Sequence, residues 1–250
     1  MSGDQSHHSL WRRARWRIGD LLYPRICPWC NRVLAPHDDP LACAECAGLV
    51  RRLAPPFCAV CGAPFATGAG GHLCPACERK QPAFDHLRGV VAYDRPVADA
   101  IIRFKYGRDT TLARALARVL WSTRHLGIAW TGYDAILPVP LHPDRLRTRR
   151  FNQALLLLWS LPQRGLPVRA QWLVRTRATA PQVSLPDDHR HTNVRAAFAV
   201  APGVVLKGLR LLLVDDVAST GATLHECAKV CKKAGAREVD AAVVARSVLC

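Results

Sequence analysis

Four consecutive apolar residues, Leu211 to Val214, lead directly into two carboxylates, Asp215 and Asp216, and soon afterwards into the turn Ser219-Thr220-Gly221. An unbroken apolar run of this kind suits a strand covered on both faces of a parallel sheet, because neither face then needs a polar residue. Past the turn, residues 222–234 are compatible with a helix in which Leu224, Ala228 and Cys231 share one face and Gly235 supplies the stop. Strand, loop and helix in that order predict an α/β fold. They also predict a ligand. A helix start offers free backbone N–H groups and the positive end of the helix dipole, which together favour a phosphate. A carboxylate pair beside it accepts hydrogen bonds from vicinal hydroxyls. Ribose 5-phosphate carries both groups.

Residues Leu211 to Leu224 resemble the phosphoribosyl pyrophosphate (PRPP) motif of the type I phosphoribosyltransferases at nearly every position. The resemblance implies that Asp215 and Asp216, the catalytic pair, hold the ribose hydroxyls. It implies that Ala218, Ser219, Thr220, Gly221 and Thr223 hold the 5-phosphate. Ala218 departs from the pattern, which prefers a larger aliphatic residue there. A plain acidic strand end followed by a Ser/Thr helix cap is the competing reading.

Eight of the eleven cysteines lie in four Cys-x-x-Cys pairs: Cys27/Cys30, Cys43/Cys46, Cys58/Cys61 and Cys74/Cys77. Twelve residues separate Cys30 from Cys43 and twelve separate Cys61 from Cys74, so the segment is an internal repeat. Two residues between cysteines allow a tight knuckle that presents both sulfurs to one ion, and four thiolates in a tetrahedron suit structural Zn²⁺. The segment reads as a double zinc ribbon with one ion per half. A cross-braced arrangement, in which alternate pairs share an ion, satisfies the same spacing, and free or redox-active thiols are the remaining reading. Closed four-cysteine sites have no open coordination position, which assigns them structure and not catalysis. Cys227 and Cys231 read as small apolar residues of a helix.

Between these features, residues 1–23 form a basic segment compatible with a short helix docked on the module behind it. A strand is predicted around Gly89–Tyr93, and helices over Val97–Tyr106 and Thr111–Trp121. Lys105 reads as an exposed lysine at the end of the first of these. The strand Ala135–Leu137 runs into a segment with three prolines, Pro138, Pro140 and Pro143, which reads as a rigid loop. Five basic or imidazole side chains follow, His142, Arg145, Arg147, Arg149 and Arg150. Charges packed this closely repel one another unless a polyanion neutralises them, which points to a pyrophosphate partner; a solvated basic loop is the alternative. An apolar helix is expected at Leu155–Leu161, a strand at Leu173–Arg175 and a last buried strand at Val239–Ala245. The polar stretch between Thr179 and Phe198 has the length of an active-site lid. His189 and His191 beside Asp187 and Asp188 lack the further ligand cluster that a metal site needs.

The formal net charge is +16, which favours polyanionic ligands, nucleotides or nucleic acid. No apolar run reaches the roughly 18 residues of a membrane span, and the N-terminal segment lacks the apolar core of a signal peptide. A cytoplasmic protein without membrane insertion is expected, and in a reducing compartment the cysteines are read for metal and not for disulfides.

The double zinc ribbon, the Pro138-Val139-Pro140-Leu141-His142 loop with Arg149-Arg150-Phe151-Asn152-Gln153, and the PRPP motif occur in that order. Gln182, Arg190, Asn193, Val194 and Phe198 fall where further family-like elements are expected. Together these features resemble the ComF family, including ComFC- and GntX-like proteins, over nearly the whole chain after residue 20. The family often has glycine where this chain has Arg150. The resemblance implies a basic N-terminal segment (1–23), a double zinc ribbon (24–82) and a type I phosphoribosyltransferase-like domain (83–250) with a mainly parallel sheet flanked by helices. It implies that Val139, Pro140, Leu141, His142, Arg149 and Arg150 meet the pyrophosphate of PRPP, with Mg²⁺. It implies transfer of the phosphoribosyl group to an acceptor that no residue set identifies, and a link to DNA uptake in natural competence. A PRPP sensor, or an accessory protein that binds single-stranded DNA or a competence helicase, is the alternative.

Overall fold

The computed structural model describes residues 24–35, 42–65, 71–107, 109–178 and 192–247. The basic segment 1–23, the glycine tip at 68–70, the lid residues from Thr179 to His191 with Gln182 and Arg190, and Cys250 lie outside the described residues.

Four parallel strands form the central sheet: β1 (Leu87–Ala92), β2 (Ala135–Pro138), β5 (Arg210–Ala218) and β6 (Glu238–Arg246), in the order β1-β6-β5-β2. A two-stranded antiparallel sheet, β3 (Leu173–Arg175) with β4 (Phe198–Val200), stands apart. Strand β4 was not foreseen, being short and adjoining the polar stretch. The helices are α1 (Ala44–Ala47), α2 (Pro75–Arg79), α3 (Val97–Tyr106), α4 (Leu112–Trp121), α5 (Pro143–Arg149), α6 (Gln153–Trp159) and α7 (Ala222–Lys233). The expected helix at Leu155–Leu161 begins two residues earlier because Asn152 caps it, its side chain accepting from the Leu155 N–H at 3.2 Å.

The apolar run of β5 is covered on both faces, as its composition requires. Leu212 and Val214 join a core with α3, α4 and α6, whereas Leu211 and Leu213 join a second core with α7. All four leucine and valine side chains are fully buried. At about 1.5–3 kcal/mol for each buried side chain, this strand alone contributes several kcal/mol.

The cysteine pairs cluster as Cys27, Cys30, Cys43 and Cys46, and as Cys58, Cys61, Cys74 and Cys77. Each half therefore builds its own site, and the cross-braced alternative is removed. Sulfurs at 3.6 Å (Cys30 to Cys43, and Cys61 to Cys74) match the edge of a tetrahedron with Zn–S bonds of about 2.3 Å. The first cluster packs into the core of α3, α4 and α6, and the second into the core of α7. The connection between them pairs antiparallel with the outer edge of β1, the Leu53 N–H donating to Val90 O and the Ala92 N–H to Arg51 O, both at 2.8 Å. The opposite edge is covered where the Ile136 N–H donates to Pro167 O at 2.9 Å. Neither sheet edge is left as a template for another chain. Among the described residues no helix is long and apolar enough to cross a membrane.

Gly62 docks the second ribbon on β1. Its φ is +65°, and a Cβ there would lie 2.4 Å from the carbonyl oxygen of Leu87. Gly62→Ala should therefore lower the unfolding free energy by about 1–3 kcal/mol in urea denaturation of the zinc-loaded protein; an unchanged midpoint would contradict this docking.

Candidate functional site

Chemistry collects at the C-terminal ends of β2, β5 and β6. At the other end of the sheet the polar groups satisfy one another. Arg210 forms a bidentate pair with Glu238 at 2.7 and 2.9 Å, and Asp240 accepts from the Tyr133 hydroxyl at 2.7 Å.

Strand β5 continues through the acidic pair to Ala218, and strand alternation sends the two carboxylates to opposite faces. Asp216 points toward α3, where Lys105 Nζ meets its Oδ1 at 2.9 Å. Lys105 is thus turned inward and not exposed, a correction whose reason is the buried charge it neutralises. Burial works against the lysine's charge, but Asp216 and Asp215 outweigh it and hold the ammonium above its usual range. The second oxygen of Asp216 is buried with no hydrogen-bond partner, so acceptor capacity is left there. Asp215, on the α7 side, accepts from the Asp216 N–H at 2.9 Å. Burial, and then the neighbouring Asp216, push its carboxyl up to about 7. That unpartnered Asp216 oxygen is a hard donor of the kind that suits Mg²⁺ brought in with a phosphorylated substrate.

The turn after β5 is built as anticipated. Gly221 takes a left-handed φ of 76° at the N-cap of α7, and the Thr220 hydroxyl accepts from the Ala222 N–H at 3.3 Å. Ala218 is buried, while Ser219, Thr220 and Thr223 are half-buried around the helix start.

Beside it, the Val139 N–H donates to Val214 O at 2.9 Å, carrying the β2–β5 pairing one residue past the strand. The Asn152 amide donates to Val139 O at 3.0 Å and pins the loop from behind. Val139 and Pro140 are buried, and Leu141 and His142 lead out of the loop. The basic segment expected as a loop is a short helix, α5. Pro143 stands at its first position and the His142 ring nitrogen accepts from the Asp144 N–H at 3.3 Å. Proline at a helix start costs no hydrogen bond, which is why three prolines did not preclude a helix.

The five basic side chains separate on α5. Arg147 pairs with Asp144, which also lies 3.2 Å from His142 Nδ1. Arg149 donates to Gln153 at 2.8 Å and stacks over Tyr106 at 4.9 Å. Arg145 is half-buried; burial and then Arg149 lower its pKa. Arg150 is exposed and holds a left-handed φ of 70° as the C-cap. That geometry explains the family's glycine and shows that arginine adopts the same turn here.

Two residues were missed. Arg175 on β3 is buried, stacks over Phe198 at 5.2 Å, and has its pKa lowered to about 10 by burial and then by Arg145. Arg246 ends β6 beside the Ser219–Gly221 turn, its guanidinium donating to Ser219 O at 3.1 Å. Each is a charged residue that ends a strand, and neither belongs to a motif.

The family model described as double zinc ribbon domain matches residues 18–80, and that of the phosphoribosyl transferase domain matches residues 188–247. The chain is 32% identical to DNA utilization protein YhgH of Salmonella typhi over 91% of this chain and 100% of that protein. It is 31% identical to competence protein F of Haemophilus influenzae, covering 82% of this chain and 90% of the relative. It is 25% identical to competence protein ComFC of Bacillus subtilis, covering 84% and 85%.

Two outcomes are expected of the ligand-free protein. With a carboxyl raised to about 7, the folded chain keeps a proton that the unfolded chain releases near pH 4, so this group's contribution to stability falls as pH rises from about 4 to about 7. Urea midpoints of Asp215→Asn measured from pH 5 to pH 8 should gain steadily on the wild type; parallel profiles would contradict the raised carboxyl. Arg150→Gly should raise stability by about 1 kcal/mol, read as a higher melting temperature.

Proposed function

The chain belongs to the ComF family, and from that premise we propose that it binds PRPP with Mg²⁺ and transfers the phosphoribosyl group to an acceptor, releasing pyrophosphate, in the cytoplasm and in the service of DNA uptake. The observation that carries this reading is the Val139 N–H to Val214 O bond of 2.9 Å. It sets the loop that would meet pyrophosphate directly alongside the acidic pair that would meet the ribose.

In the proposed reaction the acceptor's nucleophile forms a bond to the anomeric carbon as the bond from that carbon to pyrophosphate breaks, and pyrophosphate leaves with the electron pair. Arg145, Arg149 and Arg150 face the charge gathering on the leaving group, with the backbone of Val139 to His142 as its cradle. Asp215 accepts from the ribose hydroxyls and faces the positive charge developing on the sugar. Asp216, held by Lys105, keeps its strand end in place and supplies a second oxygen. Mg²⁺ brought in with the substrate would neutralise pyrophosphate charge, and the unpartnered oxygen of Asp216 would be available to it as a protein donor. Ser219 to Gly221, with Ala218 and Thr223, anchor the 5-phosphate at the start of α7. The protein's contribution is positioning and electrostatics, since none of these groups needs to form a covalent bond to the sugar.

The relatives named for DNA utilization and competence, with the net charge of +16, support a second role in binding single-stranded DNA. The two are separable. Calorimetric titration of the zinc-loaded protein with PRPP and Mg²⁺ should give binding that drops at least tenfold in Asp215→Asn/Asp216→Asn, the loss of one or two charge-assisted hydrogen bonds. No binding at millimolar PRPP would sink the transferase reading. DNA binding should weaken steeply with salt and ignore the acidic-pair substitution.

A further inference from the structure

Arg246 touches both halves of the molecule. One guanidinium nitrogen donates to Ser219 O at 3.1 Å and to Ser247 O at 3.4 Å, and the other donates to Cys61 Sγ at 3.2 Å. The side chain is 8% exposed. Its stem passes where a Cβ on Gly89 would come within 3.0 Å of it, so the glycine on β1 leaves the room that Arg246 occupies. A cavity of about 490 Å³ adjoins this contact, walled by Thr220 and Gly221 on one side and by Cys61, Cys77 and Arg79 on the other.

We propose that Arg246 is a positioning residue that couples the second zinc site to the phosphate turn, so that zinc held by Cys58, Cys61, Cys74 and Cys77 tightens the hold on a sugar 5-phosphate. The inference rests on the donor-site reading above. Its chemistry is direct. Four thiolates around Zn²⁺ carry a net charge of about −2, which gives the buried guanidinium its counter-charge. Without the ion nothing holds the four cysteines in one array, and the guanidinium loses a fixed partner at Cys61. The other arm of the fork acts on the turn. The Ser219 carbonyl and the Thr220 N–H belong to one planar peptide unit and point to opposite sides of it. Holding the oxygen toward β6 aims the N–H away, toward the position proposed for the phosphate. The first zinc site lies apart from this turn, its cluster packing in the core on the other face of the sheet.

Coupling between two binding sites is reciprocal, so phosphate must tighten zinc if zinc tightens phosphate. The test uses the full-length zinc-loaded wild type, Arg246→Met and Arg246→Lys, with ribose 5-phosphate and inorganic pyrophosphate as probes. Zinc release to a coloured chelator should show one of the two metal equivalents slowed severalfold by ribose 5-phosphate in the wild type, and no slowing in either variant. Arg246→Met should lose about tenfold in affinity for ribose 5-phosphate while keeping pyrophosphate affinity within about twofold. The lysine variant keeps the charge but cannot span both contacts, so it separates decoupling from misfolding. A wild type that binds ribose 5-phosphate with zinc release unchanged, or a methionine variant that still couples, overturns the proposal alone. A wild type that binds neither probe overturns the donor-site reading as well.

Discussion

A strand buried on both faces can present chemistry only where it ends, and β5 is such a strand. Its four apolar residues divide between two cores, and its hydrogen-bonding edges are taken up by β2 and β6. Everything the site contains is placed relative to that strand's last residues. The pairing with β2 brings the Val139 loop, the pairing with β6 brings Arg246, and the crossover into α7 brings the turn at Ser219 to Gly221. Parallel sheets gather ligand groups at their carboxyl ends for this reason.

The cost of the arrangement is two carboxylates where water is largely excluded. The strand's alternation resolves it by sending them apart. Asp216 is neutralised by Lys105, whereas Asp215 has no ion pair among the described residues and its carboxyl is pushed up to about 7. A carboxyl poised near neutrality is ready to be drawn into its charged form by a cation or a developing positive charge. The two ribbons serve the same sheet from opposite sides. The second is joined to the turn after β5 through the side chain of Arg246, which makes the duplicated motif unequal in consequence.

The elements that could be read from sequence were those with strong local grammar. Unbroken apolar runs located β5 and β6, the Thr-Gly turn located the start of α7, and the repeated spacing located both cysteine clusters. Resemblance to a family placed the Val139–His142 loop. What was not legible depended on contacts across the sheet. Lys105 looked like a solvated helix end because its partner is 111 positions away in the chain and on another element. The helix α5 was hidden by prolines that favour a helix only from its first position. Arg175 and Arg246 had no motif around them. Arg150 stood out as a departure from the glycine pattern, and its left-handed φ gives that departure a geometric meaning.

The turn after β5 is the proposed seat of a sugar phosphate. Selective ¹⁵N labelling of glycine and threonine, followed by addition of PRPP with Mg²⁺, tests that claim at single residues. The amide signals of Thr220, Gly221 and Thr223 should move together and saturably, while that of Gly165 stays fixed. Binding that leaves Thr220 and Gly221 unmoved would contradict it.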